Sequence, residues 1–130
     1  MNALAGVPEI DDVSSGEYVP QQLNFDWLDA VSFAKGCYPG QEIVARLKYR
    51  GEVKKRLAAA SCRSGAPIAG GTAMRLPGED RTVGRVLHAI AVSTDESILS
   101  AVVDVAAHCS CAWRFCCCSC VVCLVCFVCF

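Results

Sequence analysis

At 130 residues the chain has room for one ordinary domain or for pieces of two. With 12 basic and 13 acidic residues the net charge is −1, which excludes an overall field that would recruit nucleic acid or an anionic membrane. The 11 cysteines suggest a disulfide scaffold by number, yet only Cys37 and Cys62 precede Cys109 and nine fall in the last 22 residues. A spaced secretory framework is thereby excluded.

Met1-Asn2-Ala3-Leu4-Ala5-Gly6-Val7-Pro8 has no basic leader followed by a long apolar run, so the expectation is a cytoplasmic protein in a reducing compartment. Residues 1–30 alternate turn signals with short apolar groups. They read as irregular connecting chain, with a short turn of helix at Asp26-Trp27-Leu28, and resemble the end of a domain whose beginning is absent. Trp27, beside Leu28, is expected in a core.

Tyr38-Pro39-Gly40 signals a turn, because the residue before proline is pushed to extended geometry and Pro-Gly suits the centre of a type II turn. A helix is expected directly after it over residues 41–47, with Glu42 in its first turn and Arg46 at the i,i+4 spacing for an ion pair. Gly51 closes that element. Residues 56–62, 72–76, 82–92 and 97–105 read as four strands separated by Gly65-Ala66-Pro67, Pro77-Gly78-Glu79-Asp80 and Ser93-Thr94-Asp95-Glu96. Loops this short imply antiparallel connections and a small barrel or sandwich, whose edges a fifth or sixth strand should close.

Between Lys35 and Arg63, the residues Arg46, Lys48, Arg50, Lys54, Lys55 and Arg56 add a local basic stretch opposed only by Glu42 and Glu52. It suits a polyglutamate tail, a phosphate or RNA, and equally a solvated surface.

Ser32-Phe33-Ala34 followed by Lys35-Gly36-Cys37-Tyr38-Pro39-Gly40-Gln41-Glu42, with Ala45-Arg46 two residues later, resembles the signature of the YgfZ family, folate-binding relatives of the glycine-cleavage T-protein. Val19-Pro20-Gln21 and Lys48-Tyr49-Arg50-Gly51 extend the resemblance over roughly residues 5–105. What it implies is binding of tetrahydrofolate or a derivative, and support of iron-sulfur cluster assembly or repair and of tRNA modification. The implied partners are iron-sulfur enzymes, cluster-assembly proteins and a tRNA-modifying enzyme, with no membrane. Members of the family carry a long N-terminal region that forms most of the folate-binding domain. The resemblance therefore implies a C-terminal fragment with an incomplete folate pocket, more an accessory than a catalyst. The alternatives are a folate-dependent aminomethyltransferase and an RNA-binding module.

Two glycines around Cys-Tyr-Pro permit a sharp bend and close approach of backbone to a ligand, presenting Cys37 near a helix start. The helix N-terminus and Lys35 both favour thiolate, the nucleophilic and metal-binding form. Cys37 is accordingly assigned as reactive thiol or redox contact and Lys35 as its electrostatic activator. Gly36, Tyr38, Gly40, Gln41, Glu42 and Arg46 are the candidate folate-binding residues, Gln41 and Glu42 also bracing the turn. Spacing alone favours a buried, inert Cys37, core packing for Phe33 and Tyr38, and a plain Glu42–Arg46 ion pair. No metal ligands are assigned.

The tail is set apart. Cys120, Cys123, Cys126 and Cys129 are evenly spaced like the first ligands of a ferredoxin run, but no turn residue or polar neighbour accompanies them. Residues 111–130 are apolar enough for a marginal membrane span. Out-of-frame translation of a T-rich stretch explains the composition better than either. The fold class expected is an α+β remnant of the folate-binding domain (1–50), then a small antiparallel β-barrel (51–107), then an anomalous tail (108–130).

Overall fold

Short apolar runs whose side chains alternate between two faces build the core. The structure, a computed structural model, describes residues 7–12, 14–63, 66–75, 80–108, 114–117 and 120–123, with side chains to residue 106. Strands β1 (Lys55–Arg63), β2 (Ala73–Arg75), β3 (Thr82–Ala91) and β4 (Glu96–Asp104) form an antiparallel sheet, each end within one residue of the expected strand. Pairing of β1 with β4 runs unbroken from Lys55↔Asp104 to Arg63↔Glu96. Register shifts fall in β3 between Val86 and His88, and in β2 between Met74 and Arg75. Such bulges bend a sheet and raise its twist.

One face buries Ala58, Ala60 and Cys62 of β1, Met74 of β2, Val83 and Val86 of β3, and Leu99, Ala101 and Val103 of β4 as one cluster. Gly84 lies where β3 crosses closest to β4: a Cβ there would stand 2.7 Å from both the Val102 carbonyl oxygen and Val103 Cγ1. Backbone cannot yield as a flexible side chain can, so Gly84→Ala is expected to cost about 1–3 kcal/mol. The check is a lowered urea midpoint with unchanged slope.

The other face is covered by the N-terminal segment. Leu57, Leu87 and Val102 pack with Leu23, and Tyr18 and Phe25 lie against them. A 3-10 turn at Pro20–Leu23 delivers Leu23 to this cluster, earlier in the chain than the helical turn expected at 26–28. Proline pre-sets the first position of such a turn, and the buried apolar side chain fixes where it sits. Asn24 ends it with φ 60, its Nδ2 donating to the Leu57 carbonyl at 2.9 Å. His88 Nε2 stands 3.4 Å from Glu9 Oε2, tying the first described residues to β3.

After β4 comes a short helical turn, α2 (Val105–His108). Strands β5 (Arg114–Cys117) and β6 (Cys120–Cys123) pair with each other, β6 also with β1 through Ser61↔Cys123, Cys62↔Val122 and Arg63↔Val121. β5 meets β2 at Arg75↔Cys116, giving the strand order β1-β4-β3-β2-β5-β6. Within the tail that the sequence sets apart, β5 and β6 lie along the two edges of the four-stranded sheet. Edge pairing asks only for extended backbone, and Phe and Val supply β-propensity. Cys126 and Cys129, and with them the four-cysteine reading, lie outside the described residues. Among the described residues no group of three or more His, Cys, Asp or Glu side chains is placed to hold a metal ion, and no helix is long and apolar enough to cross a membrane.

Candidate functional site

Pro39 and Gly40 take the two central positions of a type II turn, as the sequence implied. Gly40 has φ 84 and ψ −2, a conformation that disfavours any residue with a Cβ. The Gln41 N–H donates to the Tyr38 carbonyl at 3.2 Å, closing the turn. Gln41 Oε1 accepts from the Tyr38 N–H at 3.1 Å, so the Gln41 side chain braces the same turn from outside. Helix α1 (Gln41–Tyr49) starts at once, with Glu42 in its first turn and Arg46 and Lys48 in its last, a charge order that suits the helix dipole. It runs two residues beyond the expected end at Leu47, and the Arg50 N–H caps it on the Arg46 carbonyl at 2.9 Å.

One buried residue, Val44, anchors α1. Its carbonyl accepts from Gln21 Nε2 at 2.6 Å, and Gln21 is 1% exposed. The Gln21 carbonyl in turn accepts from Arg56 Nη1 at 3.0 Å. Arg56 grips Asp26 with both nitrogens, at 2.9 and 3.0 Å, and its guanidinium stacks 3.9 Å over the Trp27 ring. A chain of polar contacts thus runs from the sheet through the 3-10 turn to the helix that carries the motif. Sequence reasoning missed Gln21, Asn24 and Arg56 as its links. The available signal was Gln21 itself, beside Val19-Pro20 in the segment that extends the resemblance.

Several expectations for single residues need correction. Trp27 is 58% exposed and Leu28 45%, so neither belongs to a core; Arg56 covers one indole face and the other stays in solvent. Tyr38 is exposed as well. Phe33 is half-buried, its ring edge-on to Tyr49 at 6.4 Å with Lys48 Nζ 5.0 Å from its centroid. No ion pair joins Glu42 to Arg46 among the described residues, both side chains extending into water. Cys37 is free and exposed, not a buried hydrophobe, whereas Cys62 is buried in the sheet.

Cys37 lies four residues ahead of α1, on a segment without helix or strand, separated from it by the Pro39-Gly40 turn. Lys35, Gly36, Cys37, Tyr38, Gly40, Glu42 and Arg46 all face solvent, with Gln41 half-buried. A Cβ at Gly36 or Gly40 would meet no atom within 4 Å, so the surface around the motif is open. Of the basic stretch, Lys35, Arg46, Lys48, Arg50, Lys54 and Arg63 are exposed, Arg56 is held by Asp26, and Lys55 Nζ stands 4.0 Å from Asp104.

Comparison with known proteins decides the kinship. The chain is 38% identical over 115 residues, 80% of its length, to the tRNA-modifying protein YgfZ of Klebsiella pneumoniae. It is 40% identical over 106 residues to the proteins of that name from Escherichia coli K12 and Escherichia fergusonii. The chain is a YgfZ homologue. It spans about a third of the length of these curated relatives, 32% in each case. No family model matches it. Within this YgfZ-type segment the structure brings together turn, helix start and exposed thiol, and leaves them on an open surface.

Proposed function

We propose that the chain is part of a folate-binding accessory protein that supports iron-sulfur cluster assembly or repair and tRNA modification, without turnover of its own. The observation that carries the reading is the exposed, free Cys37, presented ahead of a braced type II turn in a chain homologous to proteins named tRNA-modifying. In this reading Cys37 is the reactive thiol or redox contact and Lys35 places a positive charge on the same exposed segment. Partners are iron-sulfur enzymes, cluster-assembly proteins and a tRNA-modifying enzyme. The free thiol of Cys37 suits the reducing cytoplasm of this reading. The reading extends to the architecture as a small antiparallel barrel, supported by the pairing of β6 with β1 and of β5 with β2.

Tetrahydrofolate or a derivative is the cofactor that this reading implies, and the motif alone does not enclose it. Gly36, Tyr38, Gly40, Gln41, Glu42 and Arg46 offer an open surface, one wall of a pocket. The other wall belongs to the part of a YgfZ-length chain that these residues do not span.

The test is a hybrid in which residues 15–105 replace the matching third of a YgfZ protein, expressed in a strain lacking its own. Restored tRNA modification is expected, with folate binding by the hybrid and weak or no binding by the chain alone, since half a site cannot offset the cost of immobilising the ligand. A soluble hybrid that binds folate yet leaves tRNA modification at the level of the empty strain would overturn the reading.

A further inference from the structure

A cleft of about 230 Å³ opens between the covered face of the sheet and the N-terminal segment, away from the motif. It is lined by Glu17, Tyr18 and Gln22 on one side and by Lys55, Thr82, Gly84, Arg85 and Val102 on the other. The volume falls below the range of about 300–1,000 Å³ typical of drug-sized ligands, which limits an occupant to a few heavy atoms.

Arg56 is paired with Asp26, Arg75 with Asp80, Arg81 and Lys55 with Asp104. Arg85 has no carboxylate within 4 Å among the described residues, nor has Glu17 any cation, and the two do not pair with each other although both line one cleft. Tyr18 lines the cleft with them: burial pushes its phenol above the usual range, Arg85 opposing and Glu17 adding to the shift. Two exposed charges of opposite sign, neither in an ion pair among the described residues, thus face one small space beside a phenol and the Thr82 hydroxyl. A simple anion would answer Arg85 and be repelled by Glu17; a simple cation has the reverse difficulty.

We propose that this cleft binds a small zwitterion of the amino-acid type, its carboxylate on Arg85 and its ammonium on Glu17. Arg85 suits that role because its planar fork matches a carboxylate bidentately, and Tyr18 and Thr82 add neutral polar contacts at the middle of the ligand. Gly84 and Val102 leave the floor without polar side chains, and the small volume leaves no room for a long side chain.

The experiment is a titration of the whole chain, followed by backbone amide shifts, with glycine and L-serine as zwitterions and acetate and methylamine as single-charge controls. Glycine or serine is expected to shift the amides of Tyr18 and of 82–85 saturably below roughly 10 mM, with each control binding at least about tenfold more weakly. Arg85→Gln and Glu17→Gln should each weaken zwitterion binding about tenfold or more, while Arg63→Gln, an exposed arginine on β1 outside the cleft, should not. All three sites are exposed, so the variants keep the fold. Acetate binding as tightly as glycine, equal losses in Arg63→Gln, or no saturable shift at all would each overturn the proposal.

Discussion

Arg56→Ala is expected to destabilise the chain by about 3 kcal/mol, the largest loss from any single exposed-to-partly-buried side chain in the sheet. The Arg56 side chain is 18% exposed and that of Asp26 10%, so their bidentate pair is shielded from water. Removing the guanidinium strands the Asp26 carboxylate there, which costs far more than losing a surface ion pair. It also frees the Gln21 carbonyl and one face of Trp27, adding up to about 1 kcal/mol for the lost stacking. Arg56→Lys should recover little, because an ammonium cannot reproduce the fork that holds Asp26 at 2.9 and 3.0 Å while reaching Gln21. Urea midpoints of Arg56→Ala, Asp26→Asn and the double variant test this. The double variant should be nearly as stable as the worse single one, since the two changes remove one interaction. Additive losses would mean the pair behaves as two independent surface charges.

Much of this fold is legible in the sequence because it is punctuated. Pro39-Gly40, Gly51 and the polar clusters around Pro67, Pro77 and Asp95 bound elements whose internal pattern then decides helix or strand. The four strands and the start of α1 follow directly from that. What joins the elements is less visible, because a buried glutamine and a partly buried arginine look like surface residues until their partners are known. Gln21 is 1% exposed only because the Val44 carbonyl, 23 positions away, takes its amide hydrogen. Trp27 misleads for a related reason: an indole is usually buried, but here Arg56 screens one face and turns its apolar surface into a stacking partner. For the site, residue types and turn geometry were readable in the motif. The openness of its surface was not, since exposure is set by tertiary packing that residue types do not record.

Cys37→Ser is expected to remove support of iron-sulfur enzymes in a full-length protein carrying this motif, while leaving stability and folate affinity close to those of the parent. The structural half of that expectation rests on exposure: Cys37 is free and solvent-facing, and no core contact is lost when sulfur becomes oxygen. The turn behind it is set by Gly40, by the Tyr38 carbonyl and by Gln41, none of which involves the thiol. The chemical half rests on what a hydroxyl lacks. It neither exchanges with disulfides nor serves as a soft ligand for iron, so a role in redox contact or transient cluster handling fails outright. Client activity should fall at least about tenfold, the scale on which disturbed metal ligation is usually felt. Gly40→Ala offers the contrasting result. It leaves the thiol intact but strains the turn at φ 84, so it should lower stability by about 1 kcal/mol and client activity only in part. The measurements are activity of an iron-sulfur client enzyme in the complemented deletion strain, thermal unfolding, and folate titration for each variant. Full client activity in Cys37→Ser would return Cys37 to the standing of an ordinary surface residue, and the function of the motif would then have to lie in its turn and helix alone.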